Sequence, residues 1–332
     1  MMKENPKPEA IYSLGAGAFR MIYSESEQAQ IAEMFGSPPP LVLPQEIGAT
    51  SHDLSGVRFL FSGWGSPPAD DKLFAALPSL ELILYGAGAT DHLTTDRLKN
   101  SRVRLTSAIA INAIPVAEFT FACIIFGLKN VVHLAARRYG RRTYDSSGLP
   151  PFRGAYRTRV GLVSLGYIGR LVAEKLRSVD VELVAYDPFV SPDAAARSGA
   201  KLVGLDELFA SCDVVSLHTP LNEKTKGMFT RGLFDRMKEG ATLINTARAR
   251  LIRAGDLEAF LTARPDVQAF IDVTYPEPLP EDSPLWDLPN TFLTPHIAGS
   301  FGNECYRMGR AMIGECKRYL AREPLEYEVP LR

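Results

Sequence analysis

The sequence predicts a doubly wound α/β protein made of two parallel-sheet domains. Two observations carry this prediction. From residue 160 onward, short apolar runs alternate with longer stretches of helical periodicity, and the runs are largely apolar, as strands covered on both faces are. The first hundred residues repeat the rhythm more weakly, with two apolar runs that each end in a glycine-rich turn. Strands and helices alternating in this way build an open sheet with helices on both sides.

In chain order, strands are expected at 59–62 and 80–84, followed by the turns Gly63-Trp64-Gly65 and Gly86-Ala87-Gly88. One helix is expected from about 116 to 137, and Pro150-Pro151 with the polar stretch before it reads as a connector. Strands then fall at 160–165, 181–186, 213–218, 241–245, 267–273 and 291–293. Helices are expected between them at 168–177, 205–210, 230–237 and 254–261. A last amphipathic helix, 303–320, spaces Cys305, Met308, Met312, Ile313 and Cys316 along one face, a pattern of core packing.

Composition excludes several classes. Of 332 residues 46% are hydrophobic, enough to bury a sizeable core and to argue against disorder. The net charge is −1, and the only basic cluster, Arg137, Arg138, Arg141 and Arg142 near Tyr139 and Tyr144, reads as a solvated helix end or an interface. No basic field suggests nucleic acid. Cys123, Cys212, Cys305 and Cys316 form no metal-ligand spacing, so no metal is expected, and Cys123 and Cys212 read as core residues. The polar, proline-rich start at 1–8 reads as a loose tail rather than a signal peptide, which makes a reduced cytoplasmic setting the expectation. The longest apolar stretch, 119–128, is too short for a bilayer, so a soluble protein without membrane association is expected.

The most informative segment is Val160-Gly161-Leu162-Val163-Ser164-Leu165-Gly166-Tyr167-Ile168-Gly169-Arg170, between an expected strand and helix. The dinucleotide fingerprint G-x-G-x-x-G requires that context. Gly166 lets the backbone approach a pyrophosphate, Gly169 lets the helix pack on the strand, and the first N–H groups of the helix face the phosphates. Ser164 stands where the first glycine belongs. Asp187, at the end of the next strand, follows at the distance expected of an acid that bonds the adenosine ribose. Its carboxylate would repel a 2′-phosphate, so NAD is favoured over NADP.

With these residues in order, the chain resembles the D-isomer-specific 2-hydroxyacid dehydrogenases, a family that includes D-lactate, D-glycerate and D-3-phosphoglycerate dehydrogenases. The resemblance runs from about 59 to 320. Its motifs are Asn112-Ala113-Ile114-Pro115-Val116-Ala117-Glu118, the nucleotide turn, His218-Thr219-Pro220-Leu221, Ile244-Asn245-Thr246-Ala247-Arg248, Asp272-Val273 with Glu277-Pro278, and Leu293-Thr294-Pro295-His296-Ile297-Ala298-Gly299. It implies a Rossmann NAD-binding domain at 116–299, inserted into a flavodoxin-like substrate domain formed by 1–115 and 300–332. It also implies a homodimer, a use for the apolar 116–133 segment. Tyr167, Ile168, Thr219, Pro220, Thr246, Ala247, Arg248, His296 and Gly299 would join Gly166, Gly169 and Asp187 along the cofactor. Asp272 would accept a hydrogen bond from the nicotinamide carboxamide. Ala249 departs from the family, which usually has glycine after the arginine.

Arg248, Glu277 and His296 match the family's catalytic set. Arg248 follows a strand end, where α/β sheets bind ligands, and a guanidinium can hold a carboxylate through two parallel hydrogen bonds. His296 supplies an imidazole, the side chain whose ordinary charge change lies closest to neutrality, which suits an acid that protonates a carbonyl oxygen as hydride arrives. A carboxylate at Glu277 would orient the imidazole and stabilise its protonated form. Formate dehydrogenases of the same superfamily carry glutamine there, which argues against formate. The turns at Gly65 and at Gly86, Ala87 and Gly88 would offer N–H groups to the substrate carboxylate, with Asn112 adding a side-chain contact. Segment 88–92 departs from the commoner G-x-G-x-D form.

The expected activity is thus hydride transfer between NAD(H) and a small 2-hydroxy acid or its 2-keto partner. Two alternatives stand beside it: an NAD(H)-sensing binding protein or corepressor on the same fold, and a D-3-phosphoglycerate dehydrogenase, which would need further cations such as Arg58 or Arg102 near the substrate. Trp64 reads equally as a pocket wall or a structural tryptophan. His218 falls in the strand-end motif near the cofactor, while His52, His92 and His133 read as structural or exposed.

Overall fold

A computed structural model describes residues 8–141, 147–150 and 153–331. Residues 1–7 of the expected tail, Pro151 of the connector, and Arg142 and Tyr144 of the basic cluster lie outside the described residues, as do the side chains of Tyr139 and Arg141. The chain divides into two compact units: one reaches to Ala113 and resumes at Ser300, the other runs from Ile114 to Gly299.

The first unit contains β1 (Ala10–Tyr12), α1 (Ala16–Ile22), α2 (Glu25–Phe35), β2 (Phe59–Ser62), α3 (Asp71–Ala76), β3 (Leu82–Tyr85), α4 (Asp96–Lys99) and β4 (Arg104–Ser107). Its four strands are parallel in the order β1-β2-β3-β4, and a parallel bridge from Tyr12 to Leu41 adds a rudimentary fifth position outside β1. The spatial order therefore reverses beside β1, which makes the sheet doubly wound. Successive strand residues point to opposite faces: Leu60, Ile83 and Leu105 enter one core, Phe59, Phe61, Leu82 and Leu84 the other. Side-chain caps at Ser24, Asp70 and Thr95 start α2, α3 and α4.

The chain enters the second unit within α5 (Ile109–Leu128), followed by α6 (Val131–Arg141). The single helix expected over 116–137 is two helices, because Asn130 takes a left-handed φ of 52° between them. Next come β5 (Thr158–Val163), α7 (Tyr167–Leu176), β6 (Val181–Tyr186), α8 (Pro192–Arg197), β7 (Lys201–Leu202), α9 (Leu205–Ser211), β8 (Val214–Leu217), α10 (Arg231–Phe234), β9 (Thr242–Asn245), α11 (Asp256–Ala263), β10 (Gln268–Ile271) and β11 (Thr291–Leu293). The sheet is seven-stranded and parallel, ordered β11-β10-β9-β8-β5-β6-β7. Its order reverses between β5 and β8, where doubly wound folds bind ligands at the carboxyl ends of the strands. The expected helix at 230–237 is α-helical only to Phe234, since Arg236 and Met237 close tighter i→i−3 bonds to Leu233 and Phe234.

Residues 119–128 belong to the longer α5, which by length and composition alone is apolar enough to cross a membrane, contrary to the reading of that stretch. Its buried stripe, Ala117, Thr120, Cys123, Ile124 and Leu128, packs into the second unit. At Gly127 a Cβ would meet Thr242 Cγ2 at 2.7 Å, and the Gly127 carbonyl accepts a 2.7 Å bond from Gln268 Nε2. α12 (Cys305–Leu320) closes the first unit, burying Cys305, Met308, Met312, Ile313 and Cys316 as the periodicity required. All four cysteines are free and buried, and no cluster of metal-ligating residues occurs among the described residues.

Candidate active site

The turn between β5 and α7 is built for an anion. Gly169 is required by packing, since a Cβ there would lie 2.1 Å from the Ser164 carbonyl oxygen. Gly166 is different. Its φ is −70°, and the nearest atom to an added Cβ is Ser164 Oγ at 4.0 Å. Neither backbone conformation nor packing calls for glycine, so the open space in front of it is what the glycine preserves. Gly166 is the N-cap of α7 and supplies no side-chain cap, which leaves the N–H groups of Tyr167, Ile168 and Gly169 directed at that space. An open backbone beside uncapped helix N–H groups fits a pyrophosphate.

Ser164 holds a left-handed φ of 83°, the conformation its glycine counterpart would adopt without strain. Its hydroxyl donates to Asp187 Oδ2 at 3.3 Å, and the Leu165 N–H donates to the same oxygen at 2.8 Å. The Phe189 N–H bonds Oδ1 at 2.9 Å. The Asp187 carboxylate is thus fixed by three donors. Behind the turn, His218 is buried, and burial pushes its imidazole down to about 3, so it stays neutral. Its Nε2 shares a 3.0 Å bond with Ser216 Oγ. Thr219 is buried beside it, while Pro220 is exposed.

Three loops at the other side of this sheet carry the remaining candidates. Asn245, Ile271 and Leu293 end β9, β10 and β11 and stand in register across the three strands. Arg248, Glu277 and His296 lie on the loops that leave these adjacent ends. Asn245 braces the first loop, accepting from the Ala247 N–H at 3.1 Å and donating to the Arg248 carbonyl at 3.2 Å. The exposed Arg248 bonds the Ala247 carbonyl through Nη1 at 2.7 Å. Ala249, where the family has glycine, opens a 3-10 turn without entering the left-handed region, so alanine fits without strain. The Thr246 hydroxyl is taken up by Thr120 at 2.8 Å, behind the loop.

The structure brings Glu277 and His296 together: His296 Nδ1 lies 2.8 Å from Glu277 Oε1, both side chains half-exposed. With a carboxylate as acceptor, Nδ1 carries the proton and Nε2 faces outward chemistry. What holds His296 was not legible in the sequence. Asp272, buried, accepts from the Thr294 hydroxyl at 2.7 Å, the Ile297 N–H at 2.8 Å and the Ala298 N–H at 3.0 Å. Its carbonyl also accepts the His296 N–H at 2.9 Å, fixing His296 at a φ of 57°. Asp272 therefore clamps the histidine loop, and Gly299 follows directly after that clamp.

In the first unit, the turn after β3 offers less than expected. The Gly86 N–H is committed to the Ser62 carbonyl at 2.9 Å, so it cannot also serve a substrate carboxylate. Gly86 is a packing residue: an added Cβ would meet Ile22 Cγ2 at 2.9 Å and the Tyr23 hydroxyl at 3.1 Å. Among the described residues, the N–H groups of Ala87 and Gly88 have no protein acceptor, so they remain the donors of this turn. Asn112 Oδ1 accepts the Ser300 N–H at 2.8 Å, and its Nδ2 lies 3.3 Å from where a Gly88 Cβ would stand. Gly65 turns the β2 loop with a φ of 76°, and Trp64 is half-buried against both cores of the unit, a structural tryptophan. Arg58 and Arg102 precede β2 and β4, at the amino ends of the strands, and Arg58 is paired with Glu81 and Glu9. Neither stands at the ligand-binding edge of this sheet. His133 is buried, with Nε2 3.0 Å from the Pro265 carbonyl, and His52 and His92 are exposed.

Comparison with known proteins places these features. Residues 123–298 match the family described as D-isomer specific 2-hydroxyacid dehydrogenase, NAD binding domain. A D-3-phosphoglycerate dehydrogenase of Mycobacterium tuberculosis is 30% identical over 256 residues, 76% of this chain and 48% of that protein. A glyoxylate reductase of Korarchaeum cryptofilum is 29% identical over 252 residues, 75% of each chain. The chain thus spans about half the length of the D-3-phosphoglycerate dehydrogenases it matches. Among solved structures, a D-isomer specific 2-hydroxyacid dehydrogenase of Xanthobacter autotrophicus Py2, in complex with NADPH and MES, has a TM-score of 0.78 at 24% identity, covering 98% of this chain and 99% of that one. The D-mandelate dehydrogenase of Rhodotorula graminis has a TM-score of 0.78 at 21% identity, covering 98% of each chain.

Proposed function

The chain belongs to the D-isomer specific 2-hydroxyacid dehydrogenases, and we propose that it moves a hydride between NAD(H) and a small 2-hydroxy acid or its 2-keto partner. The observation that carries the reading is the 2.8 Å pair of His296 and Glu277 on the same sheet edge as Arg248. In this reading residues 116–299 hold the dinucleotide, and 1–115 with 300–332 form the substrate domain. The bound dinucleotide supplies or accepts the hydride. The Arg248 guanidinium binds the substrate carboxylate, and the free N–H groups of Ala87 and Gly88 suit the same class of anion. His296 Nε2 gives a proton to the carbonyl oxygen during reduction and takes it back during oxidation, while Glu277 holds the ring and balances the imidazolium charge.

The three donors that fix Asp187 support NAD over NADP, because a 2′-phosphate would face a carboxylate already held in place. Tyr167, Ile168, Thr219, Pro220, Thr246, Ala247 and Gly299 line the dinucleotide in this reading, with the Thr246 hydroxyl committed behind the loop. Asp272 clamps the histidine loop first; any bond to the nicotinamide carboxamide uses its remaining lone pairs. The partly exposed side chains of α5, with Phe126 49% exposed, fit a homodimer. The four free thiols fit a cytoplasmic setting.

Replacing His296 by alanine is expected to lower 2-keto acid reduction by about 10²- to 10⁴-fold while leaving NADH binding in place. A fluorescence titration with NADH and a turnover assay over a panel of 2-keto acids read the two effects separately. Unaltered turnover would falsify the assignment, and wild-type protein that binds NADH yet turns over no acid is a sensor instead. Glu277→Gln should move the alkaline limit of reduction to lower pH, because the imidazolium loses its charged partner.

A further inference from the structure

We propose that Arg250 and Tyr275 form a clasp that positions Glu277 against His296. The inference rests on the reading of that pair as the acid and its partner. The loop that carries Glu277, Val273-Thr274-Tyr275-Pro276-Glu277-Pro278-Leu279-Pro280, has three prolines and so lacks backbone donors at 276, 278 and 280. Among the described residues, no backbone N–H from Thr274 to Leu279 donates to a backbone carbonyl. The loop is held by side chains: the Thr274 hydroxyl on the Pro276 carbonyl at 3.2 Å, Trp286 Nε1 on the Pro280 carbonyl at 2.8 Å, and Glu277 itself on His296.

The turn after β9 is the opposite case. The Arg250 carbonyl accepts the Gly227 N–H at 2.9 Å, the Leu251 carbonyl accepts the Phe229 N–H at 3.1 Å, and the Arg253 N–H returns a 2.9 Å bond to Phe229. From this fixed turn the Arg250 guanidinium carbon lies 5.1 Å from the centre of the Tyr275 ring, within cation–π range. Tyr275 is two residues from Glu277 and 68% exposed, so no core contact replaces the stack as its anchor. The charged groups on the three loops are Arg248, Arg250 and Arg253 after β9, Asp272, Glu277, Glu281, Asp282 and Asp287 after β10, and His296 after β11. Asp272 already accepts three bonds from the histidine loop. The clasp thus ties the loop of the carboxylate to the loop of Arg248, and Arg250 and Tyr275 are positioning residues.

The test is a double-mutant cycle on the full chain, read by steady-state 2-keto acid reduction across pH. Arg250→Ala and Tyr275→Ala are each expected to lower kcat by about 2- to 5-fold, the worth of one exposed cation–π contact, with KM for NADH and keto acid little changed. The alkaline limit should move down, the double variant should be no worse than either single one, and Tyr275→Phe, which keeps the ring, should behave as wild type. Both side chains are exposed, and thermal melts check that each variant folds. Effects that multiply in the double variant, or a Tyr275→Phe as impaired as Tyr275→Ala, overturn the clasp. So does an Arg250→Ala that raises the keto-acid KM with an unmoved pH limit, since Arg250 would then bind substrate directly. Glu277→Gln is the control: if its own pH limit stays put, the acid–base reading fails; if it moves while that of Arg250→Ala does not, the clasp alone fails.

Discussion

The turn after β5 and the turn after β3 stand at the same station, the carboxyl end of a parallel strand, and both are rich in glycine. After β3, Gly86 is glycine because Ile22, Tyr23 and the Ser62 carbonyl leave no room for a Cβ, and its N–H is spent on that carbonyl. After β5, Gly169 is glycine for a similar packing reason, but Gly166 faces open space in an ordinary conformation. The difference teaches where a ligand comes in. Of these two turns, only the nucleotide turn has a glycine that neither packing nor backbone conformation requires, and that glycine stands in front of an uncapped helix.

The largest expected effect tests the packing half of this comparison. Gly169→Ala puts a methyl group 2.1 Å from a backbone oxygen that has little freedom to move, so it should cost about 3 kcal/mol of stability. Urea unfolding measures this directly. A loss below about 1 kcal/mol would mean that the helix can shift without penalty, and the turn is then looser than its geometry implies.

The residue behind each turn separates them further. Behind Gly86 lies Tyr23, whose hydroxyl donates to the Ser62 carbonyl at 3.0 Å and whose buried phenol is held well above its ordinary range, so it does not titrate in acid. Behind Gly169 lies His218, held down to about 3 by burial against an unfolded value near 6.5. Below about pH 6.5 the unfolded chain takes up a proton at this imidazole and the folded chain does not. Stability is therefore complete above that pH and is lost as pH falls towards 3, by about 2 kcal/mol at pH 5. His133, also lowered by burial, acts in the same direction. His218→Asn should weaken the fold at neutral pH yet flatten the acid limb, and unfolding curves at pH 7 and pH 5 check it. An equally steep loss in the variant would place the acid lability elsewhere.

Gly166→Ala tests the other half. Stability should change by less than about 1 kcal/mol, the usual range for exchanging glycine and alanine at an N-cap. NADH binding should weaken on the order of tenfold or more, equivalent to about 1.4 kcal/mol. Unchanged affinity would remove Gly166 from the pyrophosphate site and with it the lesson of the comparison.

Legibility follows the same physics. The central strands of the second unit, β5, β8, β9 and β10, were readable to within two or three residues because both faces are buried, which leaves continuous apolar runs. The two-residue, partly exposed β7 gave none and was missed. β1 is three residues long, and β4 ends in Thr106 and Ser107, buried polar residues satisfied by carbonyl partners, so neither gave an apolar run to read. The break at Asn130 carries no glycine or proline to announce it. In the site, residue types and order pointed to Arg248, Glu277 and His296, but the holding of His296 by Asp272 joins residues more than twenty positions apart. The spent N–H of Gly86 likewise depends on a neighbouring strand, and no local pattern encodes it.

Ser164 is where the sequence looked least like its motif, and it carries the smallest expected effect. A serine at φ 83° bears strain of roughly 1–2 kcal/mol, offset in part by its hydroxyl on Asp187 and by the entropy a glycine would add to the unfolded chain. Ser164→Gly should therefore leave stability within about 1 kcal/mol of wild type, the relieved strain balancing the lost bond. Ser164→Ala keeps the strain and loses the hydroxyl, so it should be the less stable of the two by about 1 kcal/mol. Parallel urea titrations decide it. If alanine is as stable as glycine, the backbone at 164 is not held in the left-handed region, and the serine is a harmless exchange rather than a strained stand-in for the first glycine of the turn.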